Sequence, residues 1–168
     1  MTSLPLIIRA EIPFDHDAIE RLHERAFGPG RFARTAFRLR EAAAGLPLLG
    51  HTAHVGTFLA GSVRMTPVSA GASRAVMLGP LTVDPAFEGR GIGSALMKEA
   101  ISLARSEDFA LILLVGDQEY YARFGFAALP HGQLALPGPV NPARFLALAL
   151  VEGSVAAARG VVRPLGSG

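Results

Sequence analysis

Apolar and polar positions along this chain change period several times, and each change marks an element. Residues 4–10 form a short apolar run centred on Leu6, Ile7 and Ile8, with the length of a strand. Asp15 or Asp17 can then cap a helix in which Ile19, Leu22, Ala26 and Phe27 recur at helical spacing, and Gly28-Pro29-Gly30 ends it. A second helix is predicted over 31–44. Phe32, Ala36, Leu39 and Ala43 form its buried seam, and Arg31, Arg34 and Arg38 share another face. Such arginines ordinarily make a solvated surface; a basic rim that attracts anions is the sharper reading. Residues 51–69 suggest a hairpin with Ala60-Gly61 near its turn, and Pro67 marks a bulge or a strand end. By parity His51 and His54 lie on opposite faces of their strand.

The stretch from Met77 to Phe126 organises the rest. Met77, Leu78, Leu81 and Val83 belong to a buried strand, which Asp84-Pro85 ends because proline removes a donor and restricts the residue before it. Gly89, Gly91 and Gly93 follow, and residues 94–105 read as one helix with Ile92, Ala95, Leu96, Ala100, Leu103 and Ala104 on its apolar face. Residues 110–115 are apolar throughout, as in a strand covered on both sides and parallel to its neighbour. A short helix over 118–124 is stopped by Gly125; a proline- and glycine-rich loop spans 129–142; a late strand is predicted over 144–151. No clear element is legible from Gly153 onward.

A glycine-rich turn can simply let a helix approach a strand. It can also present unpaired first-turn N–H groups to an anion such as a pyrophosphate. A P-loop is excluded because Gly93 is followed by Ser94-Ala95, not Lys-Ser/Thr. A dinucleotide fingerprint is disfavoured too, since the spacing here is G-x-G-x-G, in mid-chain after three strands of antiparallel character.

Composition narrows the class. At 168 residues, the chain is read as one domain over 1–168, with no linker separating two apolar-patterned halves. Half of the residues are hydrophobic, yet no run approaches the ~18 of a membrane span, and the first ten residues lack the pattern of a signal peptide. With no cysteine, thiolate metal sites, disulfides and cysteine nucleophiles are excluded, and a cytoplasmic location is the default. His51 and His54 have no partners at ligand spacing, so no metal is expected. A net charge of +2 argues against a nucleic-acid-binding field.

In order, Val83-Asp84-Pro85, Gly89-Arg90-Gly91-Ile92-Gly93, a helix, an apolar strand and Tyr120-Tyr121-Ala122-Arg123-Phe124-Gly125-Phe126 resemble the GNAT superfamily of acyl-CoA-dependent N-acyltransferases. The likeness is strongest over 78–126, and the earlier helices and hairpin fit the same topology. It implies an α/β (α+β) fold: a mixed, mostly antiparallel twisted sheet with a central splayed parallel strand pair and helices on both faces. Pantetheine would lie in the splay, with Leu81, Thr82 and Val83 along its edge and the backbone groups of Leu81 and Val83 pairing with its amides. Main-chain amides of Glu88, Gly89, Arg90, Gly91, Ile92, Gly93 and Ser94 would wrap the pyrophosphate of acetyl-CoA, the implied donor. The loop departs from the family at Glu88, where Gln or Arg is usual; a carboxylate there weakens anion binding unless it turns away or pairs with Arg90.

The implied reaction is direct attack, in a ternary complex, by a primary amine of a small molecule, peptide or protein. That acceptor would be lined by the first two helices, the hairpin and the 129–142 loop. An alkylamine with a pKa near ~10.4 must lose a proton before it attacks. A backbone N–H near Val83 could stabilise the oxyanion, and a general acid helps the thiolate leave. Tyr121 matches the family's tyrosine for that role. Phenol (~10) to thiolate (~8.5) is uphill by about 1.5 pK units, or ~2 kcal/mol. Tyr120, four residues from Phe124, is assigned to packing. The strand at 74–83 carries no carboxylate, and Asp117 reads as a helix cap, so a water chain or an acceptor arriving neutral would serve for deprotonation. A non-catalytic acyl-CoA-binding sensor or scaffold is the alternative, and a homodimer is the default assembly.

Overall fold

The computed structural model describes residues 5–27 and 49–165. The helix expected over 31–44, with its three arginines, lies outside the described residues. In chain order the elements are β1 (Leu6–Ala10), α1 (His16–Phe27), β2 (Leu49–Val55), β3 (Phe58–Ala70), β4 (Ser73–Val83), α2 (Ile92–Ser106), β5 (Leu111–Val115), α3 (Gln118–Tyr121), β6 (Ala127–Ala128), β7 (Leu134–Ala135), β8 (Phe145–Ala149), α4 (Ser154–Ala157) and β9 (Gly160–Pro164). The strands run β1-β2-β3-β4-β5-β8-β6, with β9 added beside the far half of β3 and short β7 beside β9. Along the main path every pairing is antiparallel except β4 with β5, which α2 connects as the crossover. This is the mixed sheet the resemblance implies.

Two apolar layers explain why residues 110–115 are hydrophobic without alternation. Val76, Leu78, Ile112 and Leu114 point to the side covered by α2, where they meet Leu96, Met97 and Ala100. Ala75, Met77, Leu111 and Leu113 point the other way, against Leu129, Leu134, Phe145 and Val162. β5 is therefore buried on both faces, as an inner parallel strand must be. On that second side, α1 covers the β2–β4 half through Ile19, Leu22 and Leu59. His23 is buried on α1 where Ala26 was expected, and Ala26 is exposed. Much of this interface is polar. Arg64 on β3 forms an ion pair with Glu11 at 3.1 Å, both side chains buried, and also reaches Glu20 of α1 at 3.4 Å.

The β2–β3 turn falls at Gly56-Thr57, not at Ala60-Gly61. Gly61 lies inside β3, and its glycine answers to packing: a Cβ there would sit 3.0 Å from Ile92 Cγ2 and 3.0 Å from Leu96 Cδ1 of α2. Pro67 neither ends nor bulges the strand. It pairs with Val76 at the gap between β2 and β9, where its missing N–H is not needed and its carbonyl accepts from Leu165 at 3.1 Å. The tail beyond Gly153, unreadable in sequence, folds as α4 and β9, which pairs with β3. Gln133 fixes it by donating to the carbonyls of Val155 and Ala158 at 2.6 and 2.7 Å.

Candidate active site

The parallel pair is short. β4 and β5 are in register only at Ala75–Leu111, Val76–Ile112 and Met77–Leu113. Past Met77, β4 stays with β3 while β5 stays with β8, so the two strands part. The gap forms a cleft of about 300 Å³ walled by Phe27, Pro80, Leu81, Val115, Gly116, Tyr121 and Arg144. Its β4 side carries an open strand edge. Asp84 donates its N–H to Ala60 of β3 at 2.8 Å. Because strand N–H groups alternate, those of Leu81 and Val83 face away from β3, toward the gap. Thr82 differs from its neighbours: its backbone belongs to the β3 ladder and its side chain is buried on the α1 side of the sheet.

At the end of β4 the chain makes one 3-10 turn (Pro85–Phe87) and enters the glycine loop. Asp84 holds this corner. One carboxylate oxygen accepts the Ala86 N–H at 2.9 Å, and the other bonds Arg25 of α1 at 3.1 Å. Sequence reading treated Asp84 only as a strand terminator; its tie to α1 is 59 residues away in sequence and has no local signature. Gly89 and Gly91 have φ of +78° and +79°, and nothing lies within 4 Å of where their Cβ atoms would be. The loop is thus left-handed and bare on its outer side, which only glycine supplies without strain. Gly91 caps α2, a helix of 15 residues, and the first backbone bond runs from Ala95 to Gly91. The N–H groups of Ile92, Gly93 and Ser94 are left at the positive end of the helix. They border a cavity of about 370 Å³ with Val83, Phe87, Glu88, Gly89, Tyr120 and Arg123. Arg90 stacks its guanidinium over Phe87, 5.1 Å from the ring centre, and forms no ion pair with Glu88 among the described residues.

The tyrosines join the two cavities. Asp117 caps α3 by accepting the Glu119 N–H at 3.1 Å, the role sequence assigned to it. Tyr121 lies over Gly116, packs edge-on to Phe126 and Tyr120 with ring centres 6.0 and 4.9 Å apart, and lines the cleft. Burial, then the neighbouring Tyr120, push its phenol up to about 12, while Arg144 pulls it down. Tyr120 corrects the sequence reading. It keeps its ring contact with Phe124 at 5.8 Å, but it walls both cavities, and its hydroxyl would stand 3.2 Å from a Cβ at Gly93. Tyr121 is the one packed against the main core. The cause is helix rotation: with Asp117 fixing the cap, residue 121 turns under toward Phe126 and residue 120 turns toward α2. Among the described residues no group of histidines and carboxylates is arranged to hold a metal.

The splay, the bare glycine loop at a helix N-terminus and the paired tyrosines are accompanied by a match to the family model described as Acetyltransferase (GNAT) family, over residues 16–126. The chain belongs to the GNAT family. As a GNAT N-acetyltransferase it is 29% identical to the uncharacterized N-acetyltransferase YhbS of Escherichia coli K12 over 161 residues, covering 94% of this chain and 95% of that one. The crystal structure of Escherichia coli YhbS in complex with CoA superposes with a TM-score of 0.83 at 28% identity, covering 98% of this chain and 92% of that one. A GNAT acetyltransferase from Brucella melitensis in complex with acetyl-CoA gives a TM-score of 0.64 at 29% identity, over 86% and 96% of the two chains. No helix among the described residues is long and apolar enough to cross a membrane.

Proposed function

We propose that this GNAT enzyme transfers an acetyl group from acetyl-CoA to a primary amine by direct attack in a ternary complex. One observation carries the reading. The parting of β4 from β5 leaves the Leu81 and Val83 edge open in a groove that ends on the glycine loop one way and on Tyr121 the other. A pyrophosphate fits the loop because its donors are main-chain N–H groups at a helix N-terminus, which depend on backbone shape and not on side-chain identity. Glu88 therefore lowers affinity without abolishing the site, and Arg123, which lines the same cavity, supplies a compensating charge. Pantetheine amides pair with Leu81 and Val83 as an added strand would.

The chemistry follows from that placement. The amine attacks the thioester carbonyl, a C–N bond forms, and the C–S electron pair leaves with sulfur. A strand N–H at Val83 meets the oxygen as it gains charge. Tyr121 donates to the departing sulfur. Its phenol, pushed up to about 12, stays protonated at neutral pH and is always ready to donate. Full transfer to a thiolate near ~8.5 would be uphill by about 3.5 pK units, roughly 5 kcal/mol, more than an unperturbed phenol implies. Tyr121 accordingly works by hydrogen-bonding the developing thiolate more than by surrendering its proton.

Calorimetry with acetyl-CoA and CoA, followed by thiol release against an amine panel, tests the reading. Binding with amine-dependent thiol release supports it. No heat of association overturns it, and binding without amine-dependent turnover returns the acyl-CoA sensor.

A further inference from the structure

Two opposite charges stand in the wall of the cleft beside Tyr121. Asp117 and Arg144 are the charged residues among those described that line it, and both are exposed. Asp117 lies between Gly116 and α3. Its Oδ1 accepts the Glu119 N–H at 3.1 Å, while Oδ2 has no partner among the described residues. Arg144 comes from the turn that precedes β8. The Gly116 N–H donates to the Arg144 carbonyl at 2.9 Å, which carries the β5–β8 register one residue past Val115 and Phe145. Arg144 is thereby set opposite the glycine that Tyr121 lies over, one residue from Asp117. Both charges reach that phenol: Arg144 pulls it down and Asp117 pushes it up.

Opposite charges placed this way ordinarily pair, yet among the described residues these two form no ion pair with each other or with any other group. The pyrophosphate proposed for the glycine loop does not use Arg144 either, because the cation lining that cavity is Arg123. The rest of the cleft is largely apolar. Val115 is 38% exposed, a large hydrophobic residue left uncovered beside Phe27 and Pro80.

We infer that the cleft takes as acceptor a free amino acid with an apolar side chain, its carboxylate on the Arg144 guanidinium and its amino group on Oδ2 of Asp117. This rests on amine acetylation as proposed above and names the class of amine. A guanidinium fork matches a planar carboxylate through two parallel N–H···O bonds. An amino acid carries its two charges on neighbouring carbons, so one short molecule bridges two wall residues that do not reach each other. It enters as a zwitterion and brings no net charge into the cleft. Its side chain covers Val115 and Phe27. A carboxylate that accepts an N–H also turns the nitrogen lone pair away from itself, into the cleft where the thioester is proposed to lie. A peptide or protein terminus has a neutral amide where the amino acid has its carboxylate, and offers Arg144 no charge.

Thiol release from acetyl-CoA by the full chain should be compared for L-leucine, L-leucinamide and isoamylamine, which keeps leucine's carbon chain without the carboxylate. The amide's amine loses its proton more readily than leucine's, so chemistry alone favours the amide and a preference for leucine reports the carboxylate. The expected kcat/KM for leucine exceeds both others by at least about tenfold, the lower end for a hydrogen bond to a charged group. Arg144→Gln should cut the leucine-to-isoamylamine ratio at least about tenfold, chiefly through KM, with Arg144→Lys recovering part of it. A ratio cancels any effect of the lost charge on Tyr121. Asp117→Asn keeps the helix cap through its amide oxygen and should raise KM for leucine and isoamylamine alike. Calorimetry with CoA checks that each variant is folded, and the wild-type comparison needs no variant. Leucinamide or isoamylamine used as well as leucine, or a ratio unchanged in Arg144→Gln, would overturn the inference while leaving acetyl transfer standing. Turnover of other amines but not of leucine would do the same. A wild-type protein that binds acetyl-CoA but turns over no amine overturns the inference together with the acetylation reading.

Discussion

Replacing Tyr121 with phenylalanine removes one oxygen from the cleft and little else. The ring keeps its edge-on contacts with Phe126 and Tyr120 and its seat over Gly116. What disappears is the hydroxyl proposed to donate to the leaving sulfur. A hydrogen bond to a charged group is worth about 1.5–3 kcal/mol, so kcat should fall roughly 10- to 150-fold. The dissociation constant of CoA, measured by calorimetry, should not move, because the site proposed for the pyrophosphate is made of backbone groups of the glycine loop. The loss should shrink for thioesters whose thiol is more acidic, since those need less help to depart. The burial premise has its own check. The chain has two tyrosines and no tryptophan, so Tyr120→Phe leaves Tyr121 as the sole phenol. Its absorbance titration should stay above the usual ~10, because burial, the larger cause of the rise, remains when the Tyr120 phenol is gone. A Tyr121→Phe enzyme with kcat within twofold of wild type would refute the role, and a titration near 10 would refute the electrostatics behind it.

Three further outcomes are expected. Gly91→Ala puts a side chain at φ +79° and, at about 1–2 kcal/mol of backbone strain, should lower the melting temperature modestly while weakening CoA binding at least tenfold by calorimetry. Arg64→Met strips a buried partner from Glu11 and should cost about 3–5 kcal/mol in denaturant unfolding, with part recovered when Glu11→Gln is added. The Arg9 guanidinium holds the buried Asp15 carboxyl below its ordinary 3.8, so this pair stabilises the fold above that pH and loses its contribution as pH falls through the lowered value. Arg9→Gln should therefore raise the midpoint of acid unfolding; an unchanged midpoint would dismiss the pair as a source of acid stability.

The chemistry-bearing stretch was legible because its information is local. Glycines at 89, 91 and 93 before an amphipathic run announce a bare loop on a helix, and an unbroken apolar run at 110–115 announces a strand covered on both sides, whatever lies elsewhere. Asp117 was readable as a cap for the same reason: its bond reaches two residues along the chain. Local signals misled where packing decided. Ala60-Gly61 looked like a turn, but the absent side chain makes room for Ile92 and Leu96 some thirty residues later. Pro67 looked like a strand end, yet it sits at the one place along β3 where one neighbour stops and another starts.

Residue order alone therefore determined the elements of the central motif, the family likeness and the bare glycine loop at a helix N-terminus, all of which follow from periodicity and backbone freedom within a few residues. Tertiary structure decided what depends on distant partners: which tyrosine turns under, that Asp84 is tied to Arg25, that the tail pairs with β3, and that Arg144 stands opposite Gly116 in the cleft wall. Strand register creates that last alignment, and register is set by which strands meet, a quantity no local window of sequence contains.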